Sequence, residues 1–181
     1  MAAHIALNEI GAPFEARLVS FTRKETKSAA FLTVNAEGKV PVLLVDGRPL
    51  TEVAAVLYYL ARAFPDAGLM PWGEAESEAR VISWMSFAAS TVHPARRLSA
   101  EQAKAVWMLA EYRLGEAAWT AGRYSIADIH LFRLFWRYFN SRSPGVDAFP
   151  NLHRHYQAML ARPAVQRTIE AEAAIGYELP L

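Results

Sequence analysis

Residues 38–61 read GKVPVLLVDGRPLTEVAAVLYYLA, and this stretch limits the possible folds more than any other in the chain. Val42, Leu43, Leu44 and Val45 form an unbroken aliphatic run, the pattern of a strand buried on both faces. Pro41 opens that strand, where a missing N–H does least harm. Asp46-Gly47 tolerates positive φ at both turn positions and predicts a tight hairpin. After Thr51-Glu52 the period changes, with Val53, Val56, Leu57 and Leu60 at helical spacing and Thr51 as N-cap. A helix starting there aims unpaired backbone N–H groups toward the Pro41 turn, which makes an anion site.

The flanking sequence builds around this unit. Residues 1–10 carry Ile5, Leu7 and Ile10 among alanines and predict a helix, with Gly11 at the C′ position and Pro13 as a stop. Residues 14–21 alternate well enough to predict a strand, and residues 28–34 predict a short helix. Residues 66–73 contain Pro71 and two glycines without periodicity, so they read as a linker. Beyond them the pattern is helical throughout, over residues 74–89, 99–119, 125–140, 151–160 and 163–174. The expected organisation is a small α/β unit at 1–65, a linker at 66–73 and an all-helical unit at 74–181.

Composition excludes several function classes. Net charge is +1, with 19 basic and 18 acidic residues interspersed, so no footprint for nucleic acid is present. There are no cysteines, which removes disulfides, thiolate metal sites and a cysteine nucleophile from this chain and suits a cytoplasmic setting. No apolar run approaches membrane-spanning length, and the first ten residues do not read as a signal peptide. His153 and His155 fall on different sides of a helix, so no metal pair is expected. With Arg96-Arg97 they read as solvated surface, and the tryptophans and residues 132–139 as core.

Gly38-Lys-Val-Pro41-Val-Leu, then Asp46-Gly47, then Glu52-Val53-Ala-Ala-Val resembles the glutathione-binding half of bacterial-type glutathione S-transferases. Ser125-Ile-Ala-Asp128 after Ala121-Gly-Arg-Tyr124 is similar to the capping box that opens that family's long core helix, in which the N-cap hydroxyl and N3 carboxylate satisfy each other's backbone N–H. The resemblance implies an α/β plus all-α fold, with a thioredoxin-like N-terminal domain followed by a helical bundle. It implies conjugation of glutathione, a small-molecule thiol, to a hydrophobic electrophile at a cleft between the two parts, without metal or nucleic acid, in a cytoplasmic homodimer. The alternative is a non-catalytic binding or assembly module of the same fold.

The resemblance carries over residue by residue. Lys39, Val40 and Pro41 match the family's cis-proline turn, whose backbone pairs with the cysteinyl part of glutathione. Glu52 and Val53 match the residues that hold the γ-glutamyl end, although the family has serine where this chain has Val53. A missing hydrogen bond to a charged group costs about 1.5–3 kcal/mol, so glutathione is expected to bind weakly. Glu52 fits equally well as a carboxylate favouring the helix dipole. His93, after Trp84-Met-Ser-Phe87, matches a histidine near the family's substrate cleft, though a helix-terminal surface histidine fits the same position. The family's sulfur-contacting residue follows a strand that precedes the first helix. Residues 1–181 open on that helix, so no catalytic residue is assigned, and the 14–21 and 42–45 strands are expected to expose unpaired edges.

Overall fold

A computed structural model describes residues 1–176; residues 177–181, the end of the expected helical unit, lie outside the described residues. The elements run α1 (Ala2–Ile10), α2 (Ala29–Val34), β1 (Leu43–Val45), β2 (Arg48–Leu50), α3 (Val53–Ala63), α4 (Ala75–Phe87), α5 (Ala100–Leu114), α6 (Ile126–Arg142), α7 (Pro150–Leu160) and α8 (Pro163–Ile175). β1 and β2 form an antiparallel hairpin with Leu43 opposite Leu50, turned by Asp46 and Gly47 at positive φ. The fold is a thioredoxin-like N-terminal part and a helical C-terminal part, joined through one hydrophobic core that runs from α1 and α3 into α4–α8.

Helix ends fall where their chemistry predicts. Gly11 closes α1 in the left-handed region, Ser28 caps α2 by accepting from the Phe31 N–H, and Ser99 opens α5 with a capping box. α6 is the axis of the helical part: Ile126, Ile129, Phe132 and Phe135 are fully buried along it, against α1, α3, α4 and α7. Among the described residues no helix is long and apolar enough to cross a membrane.

Three expectations fail. Residues 14–21 form no strand; Phe14 and Leu18 are 40% and 48% exposed, and the first buried residue of the segment is Ser20, whose N–H donates to Glu25 Oε2 at 2.7 Å. Alternation alone does not make a strand when no neighbouring edge accepts its ladder of hydrogen bonds. The aliphatic run 42–45 is not buried on both faces: in the two-stranded hairpin Leu44 is exposed while Leu43 and Val45 are half-buried. Thr51 is not the N-cap of α3; that place falls to Glu52, at φ 65° and with no side-chain cap bond. The connecting residues 66–73 are packed into the fold: Leu69, Met70 and Pro71 are buried and the Ile126 N–H donates to the Leu69 carbonyl at 3.0 Å.

A second tie joins the chain's first helix to its last. Glu9 on α1 accepts from Arg162 Nε at 2.6 Å and Nη2 at 3.1 Å, and from the Tyr124 hydroxyl at 2.8 Å. The Arg162 guanidinium also lies 3.5 Å from the Tyr124 ring centroid. Burial, followed by the Glu9 charge, pushes the Tyr124 phenol well above its usual range, so it stays a donor. Glu9→Gln is expected to cost about 1–2 kcal/mol in urea unfolding, since the pair is only partly exposed and charge-assisted. A double-mutant cycle with Arg162→Gln in which the two losses simply add would remove this tie from the account.

Candidate functional site

The predicted glutathione-binding residues converge at one end of the hairpin, held by a residue that sequence reasoning passed over. Asn35, only 8% exposed, donates from Nδ2 to the Lys39 carbonyl at 2.8 Å and accepts the Glu37 N–H at 3.1 Å, while its own carbonyl accepts the Gly38 N–H at 2.9 Å. The signal was available: an asparagine directly after a short helix is a residue type that closes turns through its side chain. Gly38 adopts φ +62°, and a Cβ there would sit 2.6 Å from the Thr26 carbonyl oxygen. No L side chain fits such a corner without moving backbone.

From this corner the chain passes through a cis Val40–Pro41 peptide into β1. Val40 is exposed, and Pro41 and Val53 are half-buried. Glu52 sits at φ 65°, ψ 119°, a sparsely populated region for a side-chain-bearing residue that costs roughly 1–3 kcal/mol. Its carbonyl accepts the Val56 N–H, so the N–H groups of Val53, Ala54 and Ala55 have no partner within α3. The Lys39 ammonium pairs with Glu37, which raises its pKa, and it also feels the charges of Glu52 and Arg97. Lys39, Val40, Pro41, Glu52 and Val53 therefore share one corner of the molecule, at the end of the hairpin where Leu43 pairs with Leu50.

Arg97 closes a turn, His93–Arg97, that follows a π-helical segment, Ala88–Val92, at the end of α4. His93 is exposed at its outer side and lines a cavity of about 370 Å³ between this turn, α5 and α6. Partial burial first, then Arg96, Arg133, Arg137 and Arg97, lower its pKa from 6.5 to about 4, so the imidazole is neutral at neutral pH. His130, buried on α6, is pushed to about 3 by desolvation and then by His93 and Arg133. Arg97 is exposed, as the sequence reading expects, whereas Arg96 is half-buried and feels the like charge of Arg133 on α6.

Ser125 and Asp128 stand apart from this corner. The Ser125 N–H donates to Asp128 Oδ2 at 2.9 Å and Ser125 Oγ accepts the Ala127 N–H at 3.3 Å, closing the expected capping box. Asp128 does more than cap. Its Oδ1 accepts the Thr120 N–H at 2.8 Å and meets His155 Nε2 at 3.1 Å. His155 is 1% exposed, so the expectation of a solvated surface fails there: a partner 27 residues earlier draws it inward.

Residues 1–62 match the family model for the glutathione S-transferase N-terminal domain, and residues 94–163 match that for the C-terminal domain. Glutathione S-transferase GstA of Escherichia coli O157:H7 is 30% identical, over 95% of this chain and 93% of its own length. Among solved structures, a glutathione transferase homolog from Sulfitobacter with bound glutathione superposes at TM-score 0.85 and 27% identity, covering 94% of this chain and 91% of that one. A sphingomonad glutathione S-transferase complexed with glutathione gives TM-score 0.84 and 33% identity, over 95% of this chain and 93% of its own.

Proposed function

The chain belongs to the glutathione S-transferase family, and from that premise we propose that it binds glutathione at the Lys39–Pro41 corner and transfers it to an electrophile held by the helical part. One observation carries the reading: the exposed Val40 at the Pro41 turn shares a corner with the N–H groups of Val53, Ala54 and Ala55, which have no partner within α3. A peptide-like ligand would align its cysteinyl amide with Val40, as an added strand does. Its γ-glutamyl carboxylate would accept from the first turn of α3, where backbone N–H groups and the helix dipole favour an anion. Glu52 offers a carboxylate for the ligand's ammonium, and Lys39 a cation for its second carboxylate.

The reaction joins the glutathione sulfur to the electrophile, with the thiol proton passing to solvent. A free thiol has a pKa of about 8.5, so any donor near the sulfur raises the reactive thiolate fraction. No residue of this chain is assigned that contact. Ile82 on α4 and Met108, Leu109 and Tyr112 on α5 are exposed, Tyr112 at 88%, and Arg113 Nη2 links α5 to Ser83 of α4 at 2.7 Å. A homodimer that covers this apolar strip belongs to the same reading.

Calorimetric titration with glutathione tests the binding step. Saturable heat is expected at or below the millimolar range, and Val53→Ser, which supplies the hydroxyl, is expected to tighten binding by about tenfold. Absence of heat from both proteins at millimolar glutathione would remove the reading.

A further inference from the structure

We propose that Glu37 holds the Lys39 ammonium against the third residue of the ligand, so that the corner takes γ-glutamyl-cysteinyl thiols with little regard to whether their C-terminal carboxylate is free or blocked. This rests on the glutathione reading above and narrows it to the part of the ligand that sets affinity.

The contact stands on a fixed frame. Lys39 Nζ donates to Glu37 Oε2 at 2.5 Å. The backbone that carries both side chains is tied to one residue: the Gly38 N–H donates to the Asn35 carbonyl at 2.9 Å, the Glu37 N–H to Asn35 Oδ1 at 3.1 Å, and Asn35 Nδ2 to the Lys39 carbonyl at 2.8 Å. Asn35 is buried, whereas the side chains of Glu37 and Lys39 are 52% and 66% exposed. A pair so close in sequence on such a frame gives up only side-chain rotamers when it closes. It closes in water, so each charge keeps part of its hydration and the contact exchanges readily.

The other ammonium of this turn is committed as well. Lys27 Nζ donates to the Glu37 carbonyl oxygen at 3.5 Å and lies 2.8 Å from where a Gly38 Cβ would sit, so it is drawn back onto the backbone of the turn. Both ammonium groups therefore meet protein acceptors in the free chain. A ligand carboxylate arriving at Lys39 breaks one charge-assisted hydrogen bond to make another of the same kind, and the displaced Glu37 carboxylate stays nearby as a like charge. The net gain from a free C-terminal carboxylate is then small.

The other proposed ligand contacts face no such competitor. Val40 is exposed, and the N–H groups of Val53, Ala54 and Ala55 have no partner within α3. The γ-glutamyl and cysteinyl parts therefore carry the affinity, and the third residue goes largely unread. The Glu37 contact also has a signature that needs no ligand: its hydrogen bond, and then its charge, hold the Lys39 ammonium above its usual pKa.

Calorimetric titration of glutathione and of its glycyl monoethyl ester tests the proposal, since the two are matched in thiol and γ-glutamyl end. The wild-type protein is expected to prefer glutathione by no more than about threefold. Glu37→Gln releases Lys39 and is expected to tighten glutathione by about threefold while leaving the ester unchanged, which widens the preference to roughly tenfold. Adding Lys39→Gln to Glu37→Gln is expected to remove the preference. In parallel, the Lys39 pKa, followed by NMR of its side chain without ligand, is expected to fall in Glu37→Gln. A Glu37→Gln variant that tightens both ligands alike, or neither, overturns the proposal. So does a wild-type protein that already prefers glutathione by about tenfold, or a Lys39 pKa that the substitution leaves unmoved. A Lys39 pKa that falls, with no heat from either ligand in any variant, upholds the ion pair but overturns the glutathione reading, and with it the ligand choice built on that reading.

Discussion

Asp128→Ala is expected to lower stability by roughly 3–5 kcal/mol, because removing one member of a buried charged network strands the others. The carboxylate is completely buried and serves four donors or potential donors: the Thr120 N–H, the Ser125 N–H, the Ser125 hydroxyl and His155 Nε2. These come from the loop before α6, its first turn and α7, so the loss falls on three segments at once. For a chain of this length the fall corresponds to roughly 10–15 °C in melting temperature. Asp128→Asn keeps the volume and two acceptor lone pairs and is expected to lose about half as much. Thermal unfolding of the three proteins checks the series, and an alanine variant within about 1 kcal/mol of wild type would show that the network is not what holds α6 and α7 together.

Gly38→Ala is expected to reduce glutathione affinity by at least about thirtyfold, equivalent to roughly 2 kcal/mol at the corner. Two costs coincide there: a side chain at φ +62°, and a Cβ 2.6 Å from the Thr26 carbonyl oxygen, which is backbone and cannot swing away. Either the corner distorts or the 26–27 segment moves, and both shift the Lys39 carbonyl that Asn35 holds. Gly47 is the control. Its φ of +78° is similarly unfavourable for alanine, but no atom lies within 4 Å of the added Cβ. Gly47→Ala should show only the conformational cost, about 1 kcal/mol of stability, with glutathione affinity little changed. Equal effects of the two substitutions on glutathione titrations would mean that the packed corner does not shape the site.

The helical part was largely legible because its signals are local. The apolar periods over residues 125–140 and the Ser125-Ile-Ala-Asp128 box place α6 without knowledge of anything distant, and Gly11 ends α1 by the same kind of rule. The hairpin turn at Asp46-Gly47 is equally local. What failed depends on distant partners. Residues 14–21 alternate like a strand, yet a strand exists only where another edge completes its hydrogen bonds. His155 looks like a surface histidine until Asp128 is placed beside it. The candidate site divides in the same way. Lys39, Val40, Pro41, Glu52 and Val53 are close in sequence and were read together, whereas Asn35's hold on the turn and the meeting of Arg96 with α6 emerge only from three-dimensional packing.

The Glu9–Tyr124–Arg162 tie has a consequence for how such a protein can diverge. In the proposed reaction glutathione is held by the N-terminal part and the electrophile by the helical part, so the angle between the two ligands depends on how α1 seats against α8. That seating is written in residues near the two ends of the chain, remote from either ligand. Drift at these remote positions would reset the alignment of thiol and acceptor while leaving every ligand-contacting side chain unchanged. Changes of substrate preference between relatives are therefore to be sought at the seam as much as in the pocket.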